Sequence, residues 1–132
     1  MAYRIDTDIV LDHLAAVPAA TELLDMLADS ALCISIITYM ETYQGVLRST
    51  HRHESQEQFE AFVAVVPALP LSEEVAHRCA ELRETLRAQG RRVRARALDL
   101  IIAAIALENN LILVTRNTRD YADIPGLRLH QA

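Results

Sequence analysis

The strongest constraint on this chain is the alternation of short apolar runs with helix-length segments. Tyr3 to Asp6, Leu32 to Ile36 and Leu111 to Thr115 read as strands, each flanked by stretches of helical period. Pro67 and Pro70 bracket a third, very short strand between Leu32–Ile36 and Leu111–Thr115, and Leu127 to His130 reads as a fifth strand at the edge. Parallel strands need crossover connections of a dozen residues or more, usually helical. The spacing therefore predicts an α/β domain around a mainly parallel sheet of four to five strands, with helices on both faces.

Helical segments are expected over Ile9–Ala16, Ala19–Ala28, Tyr39–Arg48, Glu54–Val66, Ser72–Ala88 and Ala97–Asn109. Ser72 is placed to cap its helix, with Glu73 and Glu74 in the first turn, where the helix dipole favours acids. Gly90 ends it. Thr38, followed by Glu41 at the spacing of a capping box, is the expected start of another. Leu100 to Ala106 is too apolar to face water, so its helix belongs in the core. With 132 residues and a hydrophobic fraction of 52 %, the chain suits one domain spanning 1–132 with a sizeable core. No apolar stretch reaches the roughly 18–20 residues of a membrane span, and no basic-then-apolar leader opens the chain. Cys33 and Cys79 are too few and too isolated for a disulfide framework or a zinc site, and read as buried thiols of a cytoplasmic protein.

Four acids stand where this architecture gathers ligands. Asp6 closes the first strand, Glu41 follows the second, Asp99 opens the apolar helix, and Asp120 follows Leu111–Val114 and the turn Thr115–Thr118. In open parallel sheets ligands collect beyond the carboxyl ends of the strands. Carboxylates edging onto buried elements need partners, and a hard divalent cation, Mg²⁺ or Mn²⁺, satisfies several at once. Each acid also has a plainer role: Asp6 as a helix cap, Glu41 as half of the capping box, Asp99 as dipole compensation, Asp120 as a surface turn. Gly45, four residues beyond Glu41 on the same helix face, suggests a close approach by another backbone or a ligand.

The net charge of −5 does not announce a nucleic-acid binder, but its distribution is uneven. All 13 basic residues are arginine, and six lie between Arg83 and Arg96 with a single acid, Glu84. Arginine matches phosphate with a planar fork, so Arg91, Arg92, Arg94 and Arg96, in an expected loop, are candidate contacts to an RNA backbone. The histidines do not group, and no Gly-rich phosphate loop or Ser/Cys nucleophile motif is present.

Arg4-Ile-Asp-Thr-Asp8, Ser35-Ile-Ile-Thr-Tyr-Met-Glu41, Asp99-Leu-Ile-Ile-Ala-Ala104 and Val114-Thr-Arg-Asn-Thr-Arg-Asp-Tyr121 resemble, in order, the motifs of PIN-domain ribonucleases, above all the VapC-type toxins of bacterial toxin–antitoxin pairs. The resemblance implies a metal-dependent endoribonuclease acting on tRNA, rRNA or mRNA and leaving 5′-phosphate and 3′-hydroxyl ends. It implies Asp6, Asp99 and Glu41 as metal ligands and Asp120 as the fourth catalytic acid. Thr7, Asp8, Thr115 and Asn117 would be supporting residues. It also implies a homodimer and a VapB-type antitoxin that fills the active-site groove. Asp8 departs from the family, which usually has Asn there. Two other readings remain: a PIN-like module that binds RNA or a partner without cutting, and a haloacid-dehalogenase-type phosphatase, which Asp6-Thr-Asp8 superficially resembles but for which the usual lysine is missing.

Overall fold

The computed structural model describes residues 2–132, and builds them around a five-stranded, all-parallel sheet of order β3-β2-β1-β4-β5. The strands are β1 (Ala2–Ile5), β2 (Ala31–Ser35), β3 (Ala68–Leu69), β4 (Ile112–Thr115) and β5 (Arg128–Gln131). Every neighbouring pair runs parallel, the edge strand β5 included. Among the described residues the connections are α1 (Thr7–Leu14), α2 (Pro18–Met26), α3 (Ile36–Arg48), α4 (Arg52–Val65), α5 (Glu73–Ala88), α6 (Ala97–Glu108) and a short α7 (Thr118–Tyr121). The result is a three-layer α/β/α sandwich.

Alternation along each strand divides the core. Ile5, Ile34 and Val114 point to one face, where they meet Ile9 and Val10 of α1, Ala20 and Leu24 of α2, and Phe62 of α4. Leu113 points to the other, beneath Leu100, Ile102, Ala103, Ala104 and Ile105 of α6 and Leu82 and Leu86 of α5. Burying side chains of this size is worth about 1.5–3 kcal/mol each. Ala103, Ala104 and Ala106 are completely buried, so α6 lies close against its neighbours.

The chain runs outward from β1 through β2 to β3, then returns to place β4 on the other side of β1. The strand order therefore reverses between β1 and β4, and that switch point opens a crevice at the carboxyl ends of the two strands. Asp6 immediately follows β1 and Thr115 ends β4.

Several local expectations shift. Helix α3 begins three residues early because Ser35, not Thr38, is its cap: Ser35 Oγ accepts from Thr38 N at 3.0 Å. Glu41 consequently lies beyond the capping position, and the capping-box reading fails. The expected loop after Gly90 contains a 3₁₀ turn, Arg94–Arg96, and α7 forms where only a turn and loop were expected. At Gly45 a Cβ would meet Leu11 Cδ2 at 3.3 Å, so what approaches the glycine closely is a side chain of α1. The two cysteines are free and buried, as expected.

Candidate active site

Asp6 is the most firmly held of the four acids. Its side chain is 7 % exposed. Oδ1 accepts from the backbone N–H of Thr7 at 2.9 Å, which caps α1, and Oδ2 accepts from Thr115 Oγ1 at 2.8 Å. The second bond spans the switch point and ties β1 to β4. Thr115 Oγ1 in turn accepts from the N–H of Asn117 at 3.0 Å, which fixes the turn into α7. One carboxylate thus caps α1 and bridges β1 to β4.

Glu41 is joined to the β1 end through hydroxyls. Thr7 Oγ1 donates to Glu41 Oε1 at 2.6 Å and lies 2.9 Å from Thr38 Oγ1. A hydroxyl has one proton. With the Thr7 proton on Glu41, Thr38 must donate to Thr7. Thr38 Oγ1 then receives protons from Ser35 Oγ at 3.3 Å and Arg4 Nη2 at 3.1 Å. The chain of donors runs in one direction, from Arg4 through Thr38 and Thr7 to Glu41.

Asp99 sits half-buried in the first turn of α6, and Tyr121 of α7 reaches its Oδ1 at 3.4 Å. Burial, and then the negative charge of Asp6, hold the Asp99 carboxyl above the usual aspartate value; Asp120 and Glu41 push it the same way and Tyr121 opposes. Asp8 is raised by burial first and by Asp6 second, while Arg116 pulls it down. Its Oδ1 accepts from Ile9 N at 2.9 Å, and Arg116 bonds its carbonyl and pairs with Asp12. Asp6, not Asp8, is the N-cap of α1. Asp120 lies exposed on α7, beside Asp99 along a cavity of about 670 Å³ that Arg91, Arg96, Arg119 and Asp123 also line.

These side chains are mutually charged neighbours without forming a closed cage. Among the described residues no three His, Cys, Asp or Glu side chains stand close enough to enclose a metal ion. The donor set still suits a hard cation. Mg²⁺ keeps several waters and is commonly held by only one or two carboxylates.

The arginines separate into two kinds. Arg96 grips Asp123 with both terminal nitrogens at 2.8 Å and also donates to the carbonyl of Asp120 at 2.8 Å. Arg91 reaches the same carboxylate at 3.3 Å. Asp123 is thus an anchor for the 3₁₀ turn, and Arg96 holds it below the usual aspartate range. Arg92 and Arg94 are exposed and make no ion pair among the described residues, as is true of Arg119 on α7.

Arg4, Ser35, Thr38, Tyr121 and Arg119 were not singled out as site residues from the sequence. Arg4 carried a usable signal. It interrupts the run Tyr3–Ile5 and shares a strand face with Asp6, two residues on.

The sequence pattern of the PIN domain matches residues 3–127. The chain belongs to the PIN-domain family. Over 128 residues it is 30 % identical to a tRNA(fMet)-specific endonuclease VapC of Shigella flexneri, covering 97 % of this chain and 96 % of that one. It is 29 % identical over 131 residues to ribonuclease VapC2 of Rickettsia felis, covering 98 % and 96 %. Among solved structures, VapBC2 of Rickettsia felis bound to a promoter DNA fragment superposes with a TM-score of 0.88 at 27 % identity, covering 100 % of this chain and 99 % of that chain. The fold of this PIN domain is thus that of the VapC proteins, and its acids stand at the switch point of the family's parallel sheet.

Proposed function

We propose that this PIN domain is a metal-dependent endoribonuclease toxin of a VapBC pair. The observation that carries the reading is Asp6 at the crevice between β1 and β4, clamped by Thr115 and Thr7, with Glu41 and Asp99 on the same rim. Ribonuclease names among relatives that cover nearly the whole chain support it.

In this reading Asp6, Asp99 and Glu41 hold Mg²⁺ or Mn²⁺, and Asp120 completes the shell. The bound ion would make water nucleophilic near neutral pH and neutralise charge on the phosphate undergoing attack. Thr115 and the N–H of Thr7 keep Asp6 in one orientation. Thr7 fixes one oxygen of Glu41 and leaves the other to orient water or ligate. The N–H of Asn117 holds Thr115 in turn. Arg92 and Arg94 contact the RNA backbone, an electrostatic, sequence-independent term that weakens with salt. Arg96 and Arg91 hold the turn that presents them. The VapBC complexes among the structural neighbours support a VapB-type antitoxin as partner. An RNA substrate and two free buried thiols fit work in the cytoplasm, and no described helix is long and apolar enough to cross a membrane. A homodimer, common in the family, completes the proposal.

Expression of the chain alone should arrest growth, and co-expression of the antitoxin should relieve the arrest. Glu41→Ala should relieve it too while leaving a folded protein. Arrest that persists in folded Glu41→Ala protein would replace catalysis with sequestration of a partner.

A further inference from the structure

The fold buries a cation in its central strand, two residues before Asp6. Arg4 lies in the central strand β1, with Cys33 and Leu113 in register on either side, and is 0 % exposed. Burial of a guanidinium is costly unless it is paired and hydrogen-bonded. Arg4 has neither a carboxylate at ion-pair distance nor a full set of acceptors. Its Nη2 donates to Ser35 Oγ at 2.8 Å and Thr38 Oγ1 at 3.1 Å, while Nε and Nη1 find no protein acceptor among the described residues. A local pairing role therefore does not account for it.

What surrounds Arg4 is the acidic rim. Asp6 shares its strand face, and the Thr38–Thr7 relay leads from its Nη2 to Glu41. Without a metal, carboxylates gathered on one rim repel one another. Arg4 supplies positive charge inside the cluster at all times.

We propose that Arg4 is a built-in counter-ion of the carboxylate rim, which keeps the acids together in the metal-free protein and weakens their hold on a divalent cation. The inference rests on the reading of that rim as a cation site. Arg4 is a positioning residue here. It touches neither the metal nor the substrate, and acts through its charge and through the hydroxyls that fix Glu41.

The test is the Mn²⁺ dissociation constant of the full chain, followed by titration calorimetry at constant ionic strength. Arg4→Gln removes the charge and leaves a shorter neutral amide in the strand. It should bind Mn²⁺ about tenfold or more tightly than wild type, the size expected for losing one unit charge near a divalent ion in a partly solvated site. Its metal-induced rise in melting temperature should be larger as well. Arg4→Lys keeps the charge and should bind as wild type does. Equal or weaker Mn²⁺ binding by a folded Arg4→Gln protein overturns the inference and leaves the cation site standing. Failure of wild type to bind Mn²⁺ overturns the site, and the inference with it. Should Arg4→Gln not fold, the wild-type guanidinium carries the test. The sheltered Arg4 Nε–H resonance should move on Mg²⁺ addition with the same midpoint as the backbone amides of Asp6 and Thr7, and an unmoved resonance overturns the proposal.

Discussion

Removing the Arg96 side chain tests whether it holds the 3₁₀ turn or contacts RNA. Arg96 makes a two-pronged pair with Asp123 and a third bond to the carbonyl of Asp120. Hydrogen bonds to charged groups contribute about 1.5–3 kcal/mol where water is excluded. Here the two side chains remain 22 % and 18 % exposed, and Arg91 at 3.3 Å stays as a partner for Asp123. Solvent screening and that remaining partner bring the expected cost of Arg96→Ala to about 1–2 kcal/mol, or a fall in melting temperature of about 4–8 °C at neutral pH. The pH dependence has a definite sign. The Arg96 hydrogen bond, reinforced by its charge and that of Arg91, holds the Asp123 carboxyl below its ordinary 3.8 against a smaller effect of burial. The pair's contribution is therefore complete above that ordinary value and is lost as pH falls through the lower, folded-state value. Thermal melts of wild type and Arg96→Ala should differ most near neutrality and converge in acid. Arg92→Ala/Arg94→Ala should melt as wild type does, but should bind RNA more weakly, with a flatter salt dependence. If Arg96→Ala melts like wild type and flattens the salt dependence of RNA binding instead, the clamp assignment is wrong.

Other outcomes follow from the site. Glu41→Gln retains the acceptor for Thr7 and should leave the melting temperature nearly unchanged while cutting RNA cleavage more than about 100-fold. Asp99→Asn should stabilise the metal-free protein at neutral pH. Because burial and Asp6 raise the Asp99 carboxyl above its ordinary 3.8, wild-type stability in EDTA declines as pH rises from that value through the raised one; melts across this window should show the decline in wild type and its loss in Asp99→Asn. Thr115→Val removes the hydroxyl that joins β4 to Asp6 and accepts from Asn117. It should cost about 1–3 kcal/mol by denaturant unfolding, since it leaves a buried acceptor and a turn N–H without their partner; an unchanged midpoint would show the bridge to be dispensable.

Much of the fold was legible because strand and helix periods are local. The parallel sheet, the third strand between Pro67 and Pro70, the Ser72 cap and the buried α6 all follow from spacing and side-chain type. The positions of Asp6 and Asp99 were legible for the same reason. What stayed hidden depends on partners distant in sequence. Ser35 and Thr38 both suit a helix start, and the choice of Ser35 as cap leaves Thr38 to link Arg4 with Thr7. Asp123 drew no attention in the sequence because its partner, Arg96, is 27 residues away. Arg96 looked like an RNA contact because composition counts charge without showing where it is already paired. Gly45 signalled a close approach, and only packing identifies Leu11 as what approaches. Tyr121 reaches Asp99 because α7 forms in a segment whose sequence reads as turn.

The most direct test of the central claim is cleavage of end-labelled RNA by the purified, antitoxin-free chain, with Mg²⁺ or Mn²⁺ and with EDTA, beside Asp99→Asn and Asp6→Asn. The account predicts discrete internal cuts leaving 5′-phosphate and 3′-hydroxyl ends. These should vanish in EDTA, return with either cation, and fall more than about 100-fold in each folded variant at saturating metal. Cleavage that survives EDTA, or that proceeds at the wild-type rate in folded Asp99→Asn, would contradict it.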